Sequence, residues 1–167
     1  MVDLFGNIFD EVYSIVQSWQ PRKEYPVEEG YRDDLLQFLR RELNKPDWLG
    51  MSRQHSIQKE SGRHLADIGI DRRVGIELKR NLKSKADADR LIGQVKGYLR
   101  EYYEGVIIVL CGRTDRDKLE YLRDLLSEYS QLTLLGGKLV KIIIKTFKPT
   151  LKKHTKSIFD IEIPDII

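Results

Sequence analysis

Between Asp67 and Lys79 two short runs alternate apolar with polar or glycine residues, on either side of the break Asp71-Arg72-Arg73. Side chains point alternately to the two faces of a strand. The pattern therefore reads as a β-hairpin with Ala66, Ile68, Ile70, Val74, Ile76 and Leu78 on one face. Leu65, Asp67 and Gly69, then Gly75, Glu77 and Lys79, occupy the other. Directly opposed residues of an antiparallel pair point the same way. A three-residue connection puts Asp67 opposite Glu77, whereas a two-residue turn inverts the returning strand. The constellation thus demands an odd-length loop or a bulge. Opposed like charges are unfavourable, and a bound cation would compensate them, with Lys79 adding positive charge. Two carboxylates and an ammonium converging at a sheet end can hold a divalent metal beside a water and a phosphate. The plainer reading is a polar sheet face on which acids and lysines alternate. Gly69 and Gly75 fit either close approach of a substrate backbone or tight packing of a helix on the sheet.

The rest of the chain supplies elements to surround this hairpin. Leu4, Phe5, Ile8, Phe9, Val12, Ile15, Val16 and Trp19 recur at helical spacing behind Asp3 as a cap, predicting an amphipathic helix that buries one face against the domain or a second subunit. A second helix is predicted from near Pro26 through Leu43, and a strand over His55–Lys59. After Lys79–Lys85 a helix over Asp87–Tyr103 buries Leu91, Val95, Leu99 and Tyr102. The apolar run Val106–Leu110 reads as a buried strand near the middle of the sheet. Thr114 and Asp117, at near capping-box spacing, precede a helix with Leu119, Leu122, Leu125, Leu126 and Tyr129, and Lys138–Phe147 forms a last strand. The order α, α, β, β, β, α, β, α, β predicts a mixed α/β (α+β) fold, its central sheet flanked by helices.

With 167 residues, 41% hydrophobic and 33% charged, one domain over residues 1–167 is expected: an appended helix over 1–22, a core over 24–112, a helix and strand over 113–147, and a tail over 148–167. No apolar run reaches the length of about 18 residues that suggests a membrane span. The N-terminus lacks the pattern of a secretory signal. Cys111, the single cysteine, reads as a buried inert thiol in a reducing cytoplasm. Net charge is +3, but residues 1–34 hold eight acids against three bases, and 138–156 hold seven lysines and no acid. That asymmetry suits contact with a polyanion. Lysines guarding a solvent-facing edge strand would look the same.

Taken together, these residues resemble the PD-(D/E)XK nuclease superfamily over roughly Glu28 to Gly112. Asp67 stands at the motif's Asp, and Glu77-Leu78-Lys79 at its (D/E)-x-K; Ala66 replaces the Pro that usually precedes the Asp. The resemblance implies a restriction-endonuclease-like αβββαβ core and a helical glutamate that helps bind metal. Glu28 is the better candidate, sharing a helical stripe with Tyr31, Leu35 and Leu39, while Glu29 points about 100° away. Glu28 also suits a helix N-terminus for ordinary reasons. Gln94-Val95-Lys96-Gly97-Tyr98 is similar to the Q-x-x-x-Y element of the RecB-like and lambda-exonuclease-like branches, and spacing of i and i+4 brings Gln94 and Tyr98 together. Gly93 and Gly97 beside them suit a DNA backbone coming close or helix packing.

The resemblance implies that Asp67, Glu77, Glu28 and the Leu78 carbonyl bind one or two Mg²⁺ or Mn²⁺ ions, hard cations that favour oxygen ligands. The metal would activate water for hydrolysis of a DNA phosphodiester. Lys79 would orient that water or stabilise developing charge, and Gln94 would position the nucleophile or substrate with support from Tyr98. Arg80, Lys83, Lys85 and Tyr98 would contact nucleic acid; for the three basic residues a solvated loop is the alternative. A silent nucleic-acid-binding or assembly protein on the same fold is the competing expectation. A homodimer would use the N-terminal helix. No Gly-rich phosphate loop is present, and His55, His64 and His154 lack metal-site spacing.

Overall fold

A computed structural model of the chain describes residues 7–46, 50, 54–132 and 138–147. Five strands, β1 (Ile57–Ser61), β2 (Ala66–Ile70), β3 (Val74–Leu82), β4 (Gly105–Thr114) and β5 (Leu139–Lys145), lie side by side in chain order. β1 to β3 form an antiparallel meander, while β4 runs parallel to β3 and β5 parallel to β4. The helices among the described residues are α1 (Ile8–Ser18), α2 (Glu28–Leu43), α3 (Lys85–Glu101) and α4 (Arg116–Leu132). Parallel neighbours need crossovers, and α3 and α4 supply them. Successive crossovers of one hand that advance in one direction fall on one face, which leaves α1 and α2 to cover the other. The mixed α/β architecture expected from the sequence is thus present.

Around β4 both faces of the sheet are covered. On β4, Ile107, Val109 and Cys111 pack toward α1 and α2, and Val106, Ile108 and Leu110 toward α3 and α4. This explains the unbroken apolar run: a parallel strand covered on both sides has no polar face. The face of Gly75 and Glu77, which alternation sets apart from the Ile76 core, is itself covered by α3, and Glu77 is only 5% exposed. A register shift between Arg80 and Leu82, with Asn81 at φ +59, turns Leu82 into the α3/α4 core. Ala66 packs in that core too, rather than beside Ile68, because the strand leaves its ladder with β3 there.

Several element ends differ from expectation, each for a local reason. Asn7, not Asp3, caps α1: its side chain accepts from the Phe9 N–H, while Asp3, Leu4 and Phe5 lie outside the described residues. α2 begins at Glu28, so Pro26 precedes the helix instead of entering its first turn. β1 starts at Ile57 because Asp71 claims the two preceding residues, accepting from the Ser56 N–H at 2.7 Å and meeting His55 Nδ1 at 2.6 Å. Ser84 and Asp87 form a capping box that starts α3 at Lys85. Asp115, not Thr114, caps α4 by accepting from the Lys118 N–H at 3.2 Å; β4 runs on through Thr114, whose hydroxyl is buried without a partner among the described residues.

The apolar face of α1 is consumed within the chain. Ile8, Phe9, Val12 and Val16 are buried in the core shared with α2 and β3, and Trp19 closes it. Each such side chain contributes roughly 1.5–3 kcal/mol by leaving water. This accounts for the periodicity that also suggested a subunit interface. The described lysines at 138–147 are likewise structural in part: Lys145 is buried and donates to the Gln17 carbonyl at 2.6 Å, and Lys138 donates to that of Leu99. The tail over 148–167 lies outside the described residues. Among the described residues no helix is long and apolar enough to cross a membrane.

Candidate active site

The hairpin has the required odd connection. Ile68 pairs with Ile76, Gly69 with Gly75 and Ile70 with Val74, leaving Asp71-Arg72-Arg73 as the loop. Asp71 and Arg72 take left-handed φ values of +50° and +56°. Extended by one residue, this register sets Asp67 against Glu77. The β2–β3 ladder has ended by then, and a side chain takes it over: Asp67 Oδ2 accepts the Leu78 N–H at 2.8 Å. The carboxylates therefore sit where two strands part, a place where backbone groups are free to be met by side chains.

Helices reach this fork from both faces. Glu28, first residue of α2, accepts the Arg80 N–H at 2.6 Å through Oε2, and the same oxygen lies 3.6 Å from Lys79 Nζ. From the other face, α3 clamps Glu77. Gln94 Nε2 donates to Oε1 and the Tyr98 hydroxyl to Oε2, both at 2.8 Å. Asp67, Glu77, Glu28, Lys79 and Gln94 are thus brought together. Tyr98, assigned above to the nucleic-acid surface, is fully buried with its hydroxyl on Glu77, so it acts on the carboxylate from within.

The cluster is short of positive charge. Burial, then the Asp67 charge, raises the Glu77 carboxyl to about 7, against the pull of the Tyr98 hydrogen bond. Burial raises Asp67 to about 6, with Glu28 adding repulsion and the Leu78 N–H opposing it. Tyr98 is pushed up by burial and by Glu77, which keeps its proton in place as a donor. One cation escaped the sequence reading. Arg32, 8% exposed, lies 3.9 Å from Asp67 Oδ1 and 3.0 Å from Glu60. Its signal was its place four residues after Glu28, on the same helical stripe.

The glycines divide by cause. A Cβ at Gly75 would meet the Tyr102 ring at 2.7 Å, and one at Gly97 the His64 ring at 2.8 Å, so both serve packing. Gly93 has nothing within 4 Å of such a Cβ. In the basic stretch Arg80 Nε donates to the Tyr25 carbonyl at 3.1 Å, Lys85 lies 4.9 Å over the Tyr121 ring, and Lys83 and Lys85 are exposed. His55 meets Asp71 at 2.6 Å and the His64 ring lies 3.7 Å from Glu101, while His154 lies outside the described residues. Cys111 is buried with its thiol pushed up to about 12, matching an inert role.

Among the described residues no group of three or more His, Cys, Asp or Glu is assembled to hold a metal ion. One oxygen each of Asp67 and Glu28, and both of Glu77, are engaged by protein donors. The donor chemistry nevertheless suits a hard divalent cation, since the oxygens are carboxylate and their mutual repulsion calls for positive charge. Compared with family models, with curated proteins and with solved structures, the chain matches none.

Proposed function

We propose that this chain is a metal-dependent nuclease that hydrolyses DNA phosphodiester bonds, with α2, β1, β2, β3, α3 and β4 as a restriction-endonuclease-like αβββαβ core. One observation carries the reading: Asp67, Glu77 and Glu28 converge at the fork of β2 and β3, three carboxylates met by only two nearby cations among the described residues, Lys79 beside Glu28 and Arg32 beside Asp67. Asp67, Glu77, Glu28 and the Leu78 carbonyl would hold Mg²⁺ or Mn²⁺. Once bound, such an ion supplies a Lewis acid for water and neutralises phosphate charge.

The chain's own groups do the rest. Lys79, anchored near Glu28, orients the attacking water or meets the charge that develops on phosphate. Gln94 and Tyr98 hold the Glu77 carboxylate in one orientation, a supporting role that fixes donor positions. Arg80, near the end of β3, and Lys83 and Lys85 just beyond it receive flanking phosphates.

The test uses purified protein with Mg²⁺ or Mn²⁺ on linear, circular, single-stranded and branched DNA. Wild type is expected to cleave, and Lys79→Ala and Asp67→Ala to remain folded and bind DNA without cleaving. Cleavage at the wild-type rate by either variant refutes the assignment. The engagement of both Glu77 oxygens by α3 favours a second reading, a silent nucleic-acid-binding or assembly protein on the same fold. Wild type that binds DNA but nicks no supercoiled plasmid at any metal concentration selects it.

A further inference from the structure

Away from the carboxylates, two adjoining cavities follow β1 and the C-terminal end of α3. One, of about 240 Å³, is lined by Arg63, Arg72, Glu101, Tyr102 and Tyr103 among others. The other, of about 400 Å³, includes Ser56, Gly69 and Asp71. Both are bordered by Gln58 and Arg72, which makes them one trough.

The charges in the trough are unevenly committed. Glu101 accepts the N–H groups of Arg63 at 2.9 Å and His64 at 3.1 Å, and lies 3.7 Å from the His64 ring. Asp71 is taken by His55 and Ser56. Arg73, next to Arg72, pairs with Glu104 outside the trough. The guanidinium groups of Arg63 and Arg72 have no hydrogen bond or ion pair among the described residues. Two free forks of donors therefore face a trough whose acids are already satisfied. Tyr103 lines the same trough with 75% of its surface exposed, although its neighbour Tyr102 is buried. Arg72 is presented from a left-handed turn position, a strained conformation that costs about 1 kcal/mol or more without serving any contact of its side chain.

Guanidinium forks match phosphate oxygens two at a time, and an exposed aromatic ring is a platform for a base. A duplex keeps its bases stacked on one another, so a ring can receive one from a single strand. The geometry points to this trough as a binding site for single-stranded nucleic acid, with phosphates on Arg63 and Arg72 and a base on Tyr103. That the occupant is nucleic acid rests on the nuclease reading above. The trough itself reaches the fork through the end of α3, where Tyr102, the residue that caps the helix, follows Tyr98 by four positions and meets it edge to face at 6.5 Å.

The experiment measures fluorescence anisotropy of a labelled oligo-dT of about 12 nucleotides, a length within the site sizes of single-strand grooves, in EDTA so that nothing is cleaved. The variants are Arg63→Ala/Arg72→Ala and Tyr103→Ala, all at exposed side chains, with folding checked by circular dichroism. Losing two phosphate contacts should reduce the slope of log K against log salt by about 1.4. Tyr103→Ala should weaken binding about fivefold or more with its slope unchanged. Wild-type affinity and slope in both variants overturn the proposal. So does an equal loss on duplex of the same sequence, or full displacement of the oligonucleotide by dTMP or inorganic phosphate. Cleavage that survives in trough variants with unaltered binding sinks the trough alone, whereas trough binding without any cleavage sinks the nuclease alone.

Discussion

Replacing Glu77 by Gln should make the metal-free protein more stable, by an amount that grows with pH. The side chain is 5% exposed, and its carboxyl is raised from 4.5 to about 7 by burial and by Asp67. A carboxyl raised on folding keeps its proton in the folded state where the unfolded chain has lost it. Its contribution is therefore fully present below about 4.5 and disappears as pH rises through about 7. That interval corresponds to about 3 kcal/mol at full ionisation. Glutamine keeps the shape and can still bond to Gln94 and Tyr98 while carrying no charge. Its advantage over glutamate should be below about 1 kcal/mol at pH 5 and larger by about 2–3 kcal/mol at pH 8. For a chain of this size the added gain is about 5–10 °C in Tm. Thermal melts of both proteins in EDTA, from pH 5 to pH 8, read the difference. A gap that stays constant with pH, or a variant less stable at pH 8, would show that Glu77 ionises in the folded protein without penalty, and the reasoning fails.

Other consequences are as direct. Gly75→Ala forces a methyl against the Tyr102 ring and should cost about 1–3 kcal/mol, whereas Gly93→Ala, with open space around it, should stabilise α3 by up to about 1 kcal/mol; urea unfolding of both separates packing from helix propensity. Arg32→Gln removes the buried cation beside Asp67 and Glu60 and should cost about 2 kcal/mol at pH 8 and less at pH 5, where Asp67 holds its proton. An equal cost at both pH values would mean that Arg32 acts through packing alone.

The strand pattern, the three-residue connection and the i, i+4 pair of Gln94 and Tyr98 could be read from neighbouring residues, because each obeys a local period. The convergence of Glu28 with the hairpin was visible as a helical stripe pointing at the sheet. Other features depend on residues distant in sequence. Nothing near Gly75 announces that Tyr102 will lie on it, and nothing near His55 announces that Asp71 will reach back and delay β1. The burial of Tyr98 follows from α3 covering the face that alternation made polar. Arg32 shares the stripe of Glu28 in the sequence, but its closeness to Asp67 requires the helix to be docked.

Because α2 and α3 lie on opposite faces of the sheet, the fork works as a caliper whose jaws are two separate cores. Glu28 and Arg32 ride on one jaw, Gln94 and Tyr98 on the other, and the strands between them set the gap. Conservative repacking in either core should then alter the spacing of the acids well before it threatens folding.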